Sequence, residues 1–261
     1  MKPAERIQTV EAVIISHKDF GEADRLVTLF SREAGKIRGM AKGVRKMGSR
    51  KAAYLEPFMH SKVVLARGKT FWILTQADGI KQYISIPESL EKTGRAAYVV
   101  ELVERFTVEE EPSPQLFRLI IETLDRIDVD DDAFNSTLFF ELRILDHAGF
   151  RPDLTDCVGC GRAITAQDQF FSAEQGGVVC PRCGGLYQQV HRVSQDALRY
   201  LRHFQRNTYS ALSGIDVPQA VRQEILSVMG DYLSSIVERR LNAPEFMRQI
   251  THSENNNHNV Q

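Results

Sequence analysis

Little in this chain suits a secreted or membrane protein. Its 261 residues include only four cysteines and one tryptophan, and no apolar run approaches the roughly 20 residues needed to span a bilayer. The N-terminus, MKPAERIQTVEA, carries charges where a signal peptide has its apolar stretch. Thiols confined between Cys157 and Cys183 are too few and too clustered to staple a secreted fold of this length. Catalytic signatures are also missing. Gly68-Lys69-Thr70 ends like a phosphate loop, but the first glycine of that motif would have to stand at Val63. The histidines are scattered without ligand or triad spacing, and Asp130-Asp131-Asp132 precedes a helical pattern, as an N-terminal cap would. The expectation is a cytoplasmic, non-enzymatic protein with no membrane contact, whose 43% hydrophobic residues suffice for an ordinary core.

What is present is a charge division hidden by the net charge of −1. Residues 1–81 carry 16 Lys+Arg against 8 Asp+Glu, and 82–261 carry 17 against 26, so the parts are +8 and −9. From Ala34 to Leu55 the chain holds Lys36, Arg38, Lys42, Arg45, Lys46, Arg50 and Lys51 and no acid. A basic run is usually a solvated face. This one lacks compensating acids and carries Gly39, Gly43 and Gly48, which allow close backbone approach to phosphates. Phe20, Tyr54, Phe58, Phe71 and Trp72 are available for base stacking, although the alternation of strand residues favours the core for each. From Glu104 to Asp132, ten acids face three bases. That stretch reads as a solubilising surface.

The first part reads as short strands: Val10 to Ile15, Arg25 to Phe30, Lys36 to Ala41, Ser61 to Ala66 and Thr70 to Thr75. Glu33-Ala34-Gly35 and Arg67-Gly68-Lys69 supply two tight connections. Five strands in about 80 residues fit a closed OB-fold barrel better than an open sheet, because closure removes exposed edges. Beyond Pro87 the period becomes helical, with Leu90, Ala97, Val100 and Val103 on one stripe. Ser113-Pro114 starts a helix reaching about Ile127, and a third runs from about Asp132 to His147 before Gly149 and Pro152. Helices are also expected over Ser194 to Gln205 and Pro218 to Arg240, followed by a disordered polar tail. The fold class is α+β and multidomain: a barrel at 1–81, a helical domain at 82–152 resuming at 191–247, an inserted four-cysteine motif at 153–190, and a tail at 248–261.

Cys157-Val158-Gly159-Cys160 and Cys180-Pro181-Arg182-Cys183 form C-x2-C-x19-C-x2-C. Each pair can point both thiolates at one ion, with Gly161 and Gly184 allowing the turn behind it. Phe170-Phe171-Ser172 and Val178-Val179 make a hairpin that brings the pairs together. Four thiolates fill a tetrahedral zinc sphere and leave no position for water, so one structural zinc per chain is expected. The alternative, a pair of redox dithiols, lacks the βαβ context such motifs have. His191 reads as a surface or packing residue rather than a ligand.

The segment from Val13 to Phe30, VIISHKDFGEADRLVTLF, with Gly35 to Arg45, GKIRGMAKGVR, and the turn Leu55-Glu56-Pro57-Phe58, closely resembles the bacterial recombination mediator family RecO. The likeness extends to about Met247. It implies DNA repair by homologous recombination in the RecF pathway, in the cytoplasm and at the nucleoid. It further implies binding of single- and double-stranded DNA, annealing of complementary strands and, with RecR, loading of RecA onto DNA coated by single-strand-binding protein (SSB), whose C-terminal tail is a partner. RecF is a functional link. On the family pattern the leading DNA contacts are Arg25, Lys36, Arg38, Lys42 and Arg45, followed by Lys46, Arg50 and Lys51. Lys18 stands where many relatives have Arg. A zinc-containing OB-fold adaptor or regulator that binds protein or RNA without annealing is the competing reading.

Overall fold

The structure is a computed structural model and describes residues 7–130, 132–212 and 214–237. The disordered-tail expectation, and the end of the last helix toward Arg240, lie outside these residues. The chain divides into two compact units, the first reaching Ala133 and the second beginning at Phe134.

In the first unit, β1 (Ile7–Phe20), β2 (Asp24–Ser31), β3 (Gly35–Ala41), β4 (His60–Arg67) and β5 (Trp72–Lys81) close a barrel in the order β1-β2-β3-β5-β4, the OB-fold arrangement. The long first strand makes closure possible. Its start pairs with β4, from Ile7 opposite Ala66 to Val13 opposite His60, and its end pairs with β2, from Ala12 opposite Ser31 to Phe20 opposite Asp24. A register shift between Ile14 and Ser16 bends it between the two partners. Closure is completed where Gly39 and Met40 of β3 run parallel to Trp72 and Ile73 of β5. Val10, Ala12, Ile14, Val27, Leu29, Ile37, Leu65 and Leu74 fill the interior at period two. Val13 and Ile15, on the opposite face of β1, are just as buried.

That opposite face is covered because the helices α1 (Ser85–Glu88), α2 (Leu90–Phe106) and α3 (Pro114–Val129) belong to the same unit. Ser89 and Ser113 cap α2 and α3, their hydroxyls accepting from the N–H groups of Lys92 and Leu116 at 3.3 Å each. Pro114 occupies the first turn of α3. The expected apolar stripe of α2 is met in part: Val100 and Val103 are buried as expected, but Leu90 is 61% exposed, and Ala96, Val99 and Leu102 widen the buried face. Of the three acids Asp130-Asp131-Asp132 expected to cap the helix that follows, Asp130 ends α3, its N–H donating to Arg126 O at 2.8 Å, and Asp131 lies outside the described residues. A different carboxylate, Asp128, accepts from the N–H groups of Ser85 and Ile86 at the start of α1.

The second unit is built on α4 (Phe134–His147), buried on nearly every side, with α6 (Gln195–Arg206) and α7 (Gln219–Ile236). Helix α4 ends as expected, with Gly149 at φ 80° and the Phe150 N–H returning to Leu145 O at 2.8 Å. Ser194 caps α6 through the Ala197 N–H. Between α4 and α6, β6 (Gln169–Ser172) and β7 (Gly177–Val179) form the expected hairpin. A third strand, β8 (His191–Val193), pairs with β6, and α5 (Pro181–Gly184) is a single turn.

Candidate nucleic-acid interface and metal centre

The acid-free stretch leaves the barrel after β3 as a chain of linked turns. N–H groups of Lys46, Ser49, Ala52 and Leu55 donate back to the carbonyls of Gly43, Lys46, Ser49 and Ala52. Gly43 and Gly48 take φ of 64° and 80°, left-handed values that cost a glycine least. The loop is fastened to the turn between β1 and β2: the Gly43 N–H donates to Asp24 Oδ1 at 2.7 Å, and the Arg45 N–H to Ala23 O at 2.9 Å. Its far end is tied to the barrel by the Lys51 ammonium, which donates to Leu74 O at 2.9 Å. The loop also buries Val44 and Leu55 in the barrel core, which leaves its cationic side chains facing outward. The side chains of Lys42, Lys46 and Arg50 are exposed and have no hydrogen-bond or ion-pair partner among the described residues, and the same holds for the side chain of Lys18 near the end of β1.

The other expected contacts divide by what already holds them. Arg45 and Arg38 are exposed but paired, with Asp19 at 3.3 Å and Glu109 at 3.1 Å. Such solvent-facing pairs are weak enough for a phosphate to displace the carboxylate. Arg25 is only 19% exposed in its side chain and bonded to Glu56 at 2.7 Å and Asp19 at 3.2 Å. Burial pushes the Glu56 carboxyl up, but hydrogen bonds from Arg25 and His17 outweigh it and hold the group below its ordinary value. The stability this contributes is present above the carboxyl's unfolded pKa and is lost as the pH falls through the lower folded value.

Lys36 departs furthest from the expectation of a DNA contact. It is 6% exposed, and its ammonium donates to Glu104 O at 2.6 Å and to Thr107 O, at the end of α2. Burial, with Arg38 nearby, lowers its pKa. Lys51 is likewise half-buried, its pKa lowered by burial. Replacing Lys36 by Met would strand two part-buried carbonyls at a cost of about 1 kcal/mol or somewhat more. Thermal unfolding should show a lowered melting temperature, while DNA affinity of the folded protein stays unchanged.

Part of the acidic stretch binds the barrel rather than only facing water. The Glu110 N–H donates to Lys36 O at 2.9 Å, and its carboxylate accepts from Trp72 Nε1 at 2.9 Å and Arg67 at 3.3 Å, with the Arg67 guanidinium 4.7 Å over the Trp72 ring. Phe20, Tyr54 and Phe71, expected in the core, are 56%, 37% and 41% exposed. Gly39 serves the interior: a Cβ there would lie 2.1 Å from Leu74 Cδ1, so its role is close packing and not approach to phosphate.

In the second unit the Sγ atoms of Cys157, Cys160, Cys180 and Cys183 all lie within 4.8 Å of one another. Metal–sulfur bonds of about 2.3 Å in a tetrahedron set sulfurs about 3.8 Å apart, and Cys160 and Cys180 stand at 3.9 Å. The donors therefore fit a tetrahedral thiophilic ion. The two pairs are built alike: Gly161 N–H returns to Cys157 O, and Gly184 N–H to Cys180 O. Gly161 adopts φ 68°, as the turn requires, whereas Gly184 is needed because Phe170 packs where a Cβ would stand. Burial raises the Cys157 thiol, but backbone N–H groups of Cys180, Gly159 and Cys160 hold it down to about 6. The same N–H groups would steady a metal-bound thiolate. His191 pairs with Asp231 at 3.0 Å and contributes nothing to this cluster. Among the described residues no other group of three or more His, Cys, Asp or Glu side chains is arranged for a metal, and no helix is long and apolar enough to cross a membrane.

A closed OB barrel with an exposed cationic loop, followed by a helical unit carrying four cysteines arranged to hold a metal ion, defines a multidomain α+β protein. Residues 5–83 match the family model for the recombination protein O N terminal domain, and residues 87–245 that for its C terminal domain. Curated relatives named DNA repair protein RecO include those of Roseiflexus sp., 34% identical over 94% of this chain and 87% of the relative, and Myxococcus xanthus, 36% identical over 92% and 96%. That of Dehalococcoides mccartyi strain 195 is 35% identical over 82% and 81%. The chain belongs to the RecO family of DNA repair proteins.

Proposed function

We propose that this protein is a non-enzymatic recombination mediator of the RecF pathway, acting in the cytoplasm: it binds single- and double-stranded DNA through its barrel, anneals complementary strands, and with RecR loads RecA onto SSB-coated DNA. The observation that carries the reading is the outward trio Lys42, Lys46 and Arg50, held on an anchored loop with no carboxylate against it. Cations in that arrangement neutralise phosphates without reading bases. Two strands brought to one such surface lose the repulsion that slows their pairing. Lys18, Arg38 and Arg45 extend the surface, whereas Lys36, Lys51 and Arg25 support it from within.

The ion at the cysteine cluster is zinc, one per chain, in a structural role, since four thiolates leave no open coordination position. The SSB tail, an acidic peptide, docks on the helical unit. A cavity of about 810 Å³ there combines Leu198, Tyr200 and Ile215 with Arg199, His203 and Arg206, the mixture of apolar wall and positive rim that such a peptide needs. Annealing of complementary oligonucleotides, bare and coated with SSB, tests the proposal. Faster pairing on both substrates is expected. Binding without faster pairing on either substrate would reduce the protein to an adaptor.

A further inference from the structure

The loop that carries the free cations also carries an apolar side chain that the fold leaves entirely in water. Met47 is fully exposed, at 104%. It stands at the second position of the turn Lys46–Ser49, closed by the Ser49 N–H to Lys46 O bond of 3.1 Å, with Gly48 at φ 80° in the third. A turn corner points its side chain away from the loop's body, so this Met has no route to its own core. Phe20, 56% exposed, ends β1. The next residue, Gly21, accepts from the Arg45 guanidinium at 3.3 Å, and Arg45 directly precedes Lys46. Phe20 thus adjoins the turn to which the Met47 loop is fastened, and the same two segments carry the unpaired side-chain cations Lys18, Lys42, Lys46 and Arg50. Exposed apolar side chains carried on the same joined segments as free positive charge suit a ligand that is anionic along its backbone and flat and apolar between its charges.

Resting on the loop's assignment as the DNA face, we propose that Phe20 and Met47 are the base-contacting residues of this protein: a base of single-stranded DNA stacks on the Phe20 ring, and Met47 enters between neighbouring bases. Phosphates held by the surrounding cations keep the strand in place while the two side chains separate its bases. Those bases then offer their pairing edges to an incoming complement. Duplex DNA has its base faces already stacked and opens them only at an unstacking cost, so it is expected to engage the cations alone.

The test compares the native protein with a Phe20→Ala, Met47→Ser double variant by fluorescence anisotropy. The probes are an oligothymidine, the same length of abasic strand, and a duplex. Both positions are exposed, and the variant's melting curve checks that the fold is retained. The variant should lose about tenfold in affinity for oligothymidine and nothing for the abasic strand or the duplex, with an unchanged salt slope, and Phe20→Trp should keep native affinity. An equal loss on all three probes, or no loss on any, would overturn the proposal. So would loss of sedimentation with anionic phospholipid vesicles while DNA binding stays intact, which would assign the pair to a lipid surface. If the native protein binds none of the probes at low salt, the DNA-face assignment fails first and separately.

Discussion

Reversing Lys42, Lys46 and Arg50 to glutamate should slow strand annealing by roughly two orders of magnitude and flatten the salt dependence of single-stranded DNA binding. Each lost phosphate contact removes about 0.7 from the slope of log affinity against log salt, so three contacts remove about 2. Reversal adds repulsion to that loss. The effect is functional and not structural, because all three side chains are exposed and unpartnered, and surface substitutions of this kind shift stability by about 0.5 kcal/mol or less. Arg45 is left out of the variant deliberately: its side chain bonds Gly21 O and Asp19, and its N–H bonds Ala23 O, so replacing it would disturb the turn that positions the loop. An annealing assay with a melting curve on the same sample checks both halves of the prediction. Native annealing by the triple variant would remove the loop from the mechanism.

Removing the metal should unfold the cysteine motif while leaving the barrel's DNA binding nearly intact. The motif's own core is small: Cys157, Val179 and Cys183, with Val158, Ile164, Phe170, Cys180 and Tyr187 partly buried against them. Strands of four, three and three residues are too short to stand on such a core. A structural zinc contributes about 10–16 kcal/mol of apparent folding free energy in peptide systems, more than this cluster could supply. Cys157→Ser, or a strong chelator, should therefore expose the segment between Leu154 and Val193 to proteolysis, and metal analysis should fall from about one zinc per chain toward none. Cleavage confined to that segment, with single-stranded DNA affinity within about twofold of native, is the expected outcome. A chelated motif that resists protease would mean that packing alone holds it.

How far the chain could be read before folding depends on how local each determinant is. The barrel strands were legible because inward residues such as Val10, Ala12 and Ile14 alternate over short distances, and the metal cluster because its spacing alone brings four sulfurs together. The extension of β1 through Ser16, His17 and Lys18 was hidden by its polar residues; there the strand edge is secured by pairing with β2 rather than by burial. Lys36 could not be recognised as internal, since its partners Glu104 and Thr107 lie about seventy residues away and reach it only through the docking of α2 on the barrel. The same long-range docking recruits Glu109 and Glu110 to the barrel. Phe20 and Met47 were obscured for the opposite reason: an apolar residue is presumed buried until a turn shows that it has nowhere to go.

The most direct test of the central claim is the affinity of the native protein for a single-stranded oligonucleotide measured across a series of salt concentrations. Lys18, Lys42, Lys46 and Arg50 offer four uncompensated contacts, so log affinity should fall with log salt at a slope near −3, at about 0.7 per contact. A slope near zero, or no measurable binding at low salt, would contradict the assignment of the barrel loop as the DNA face.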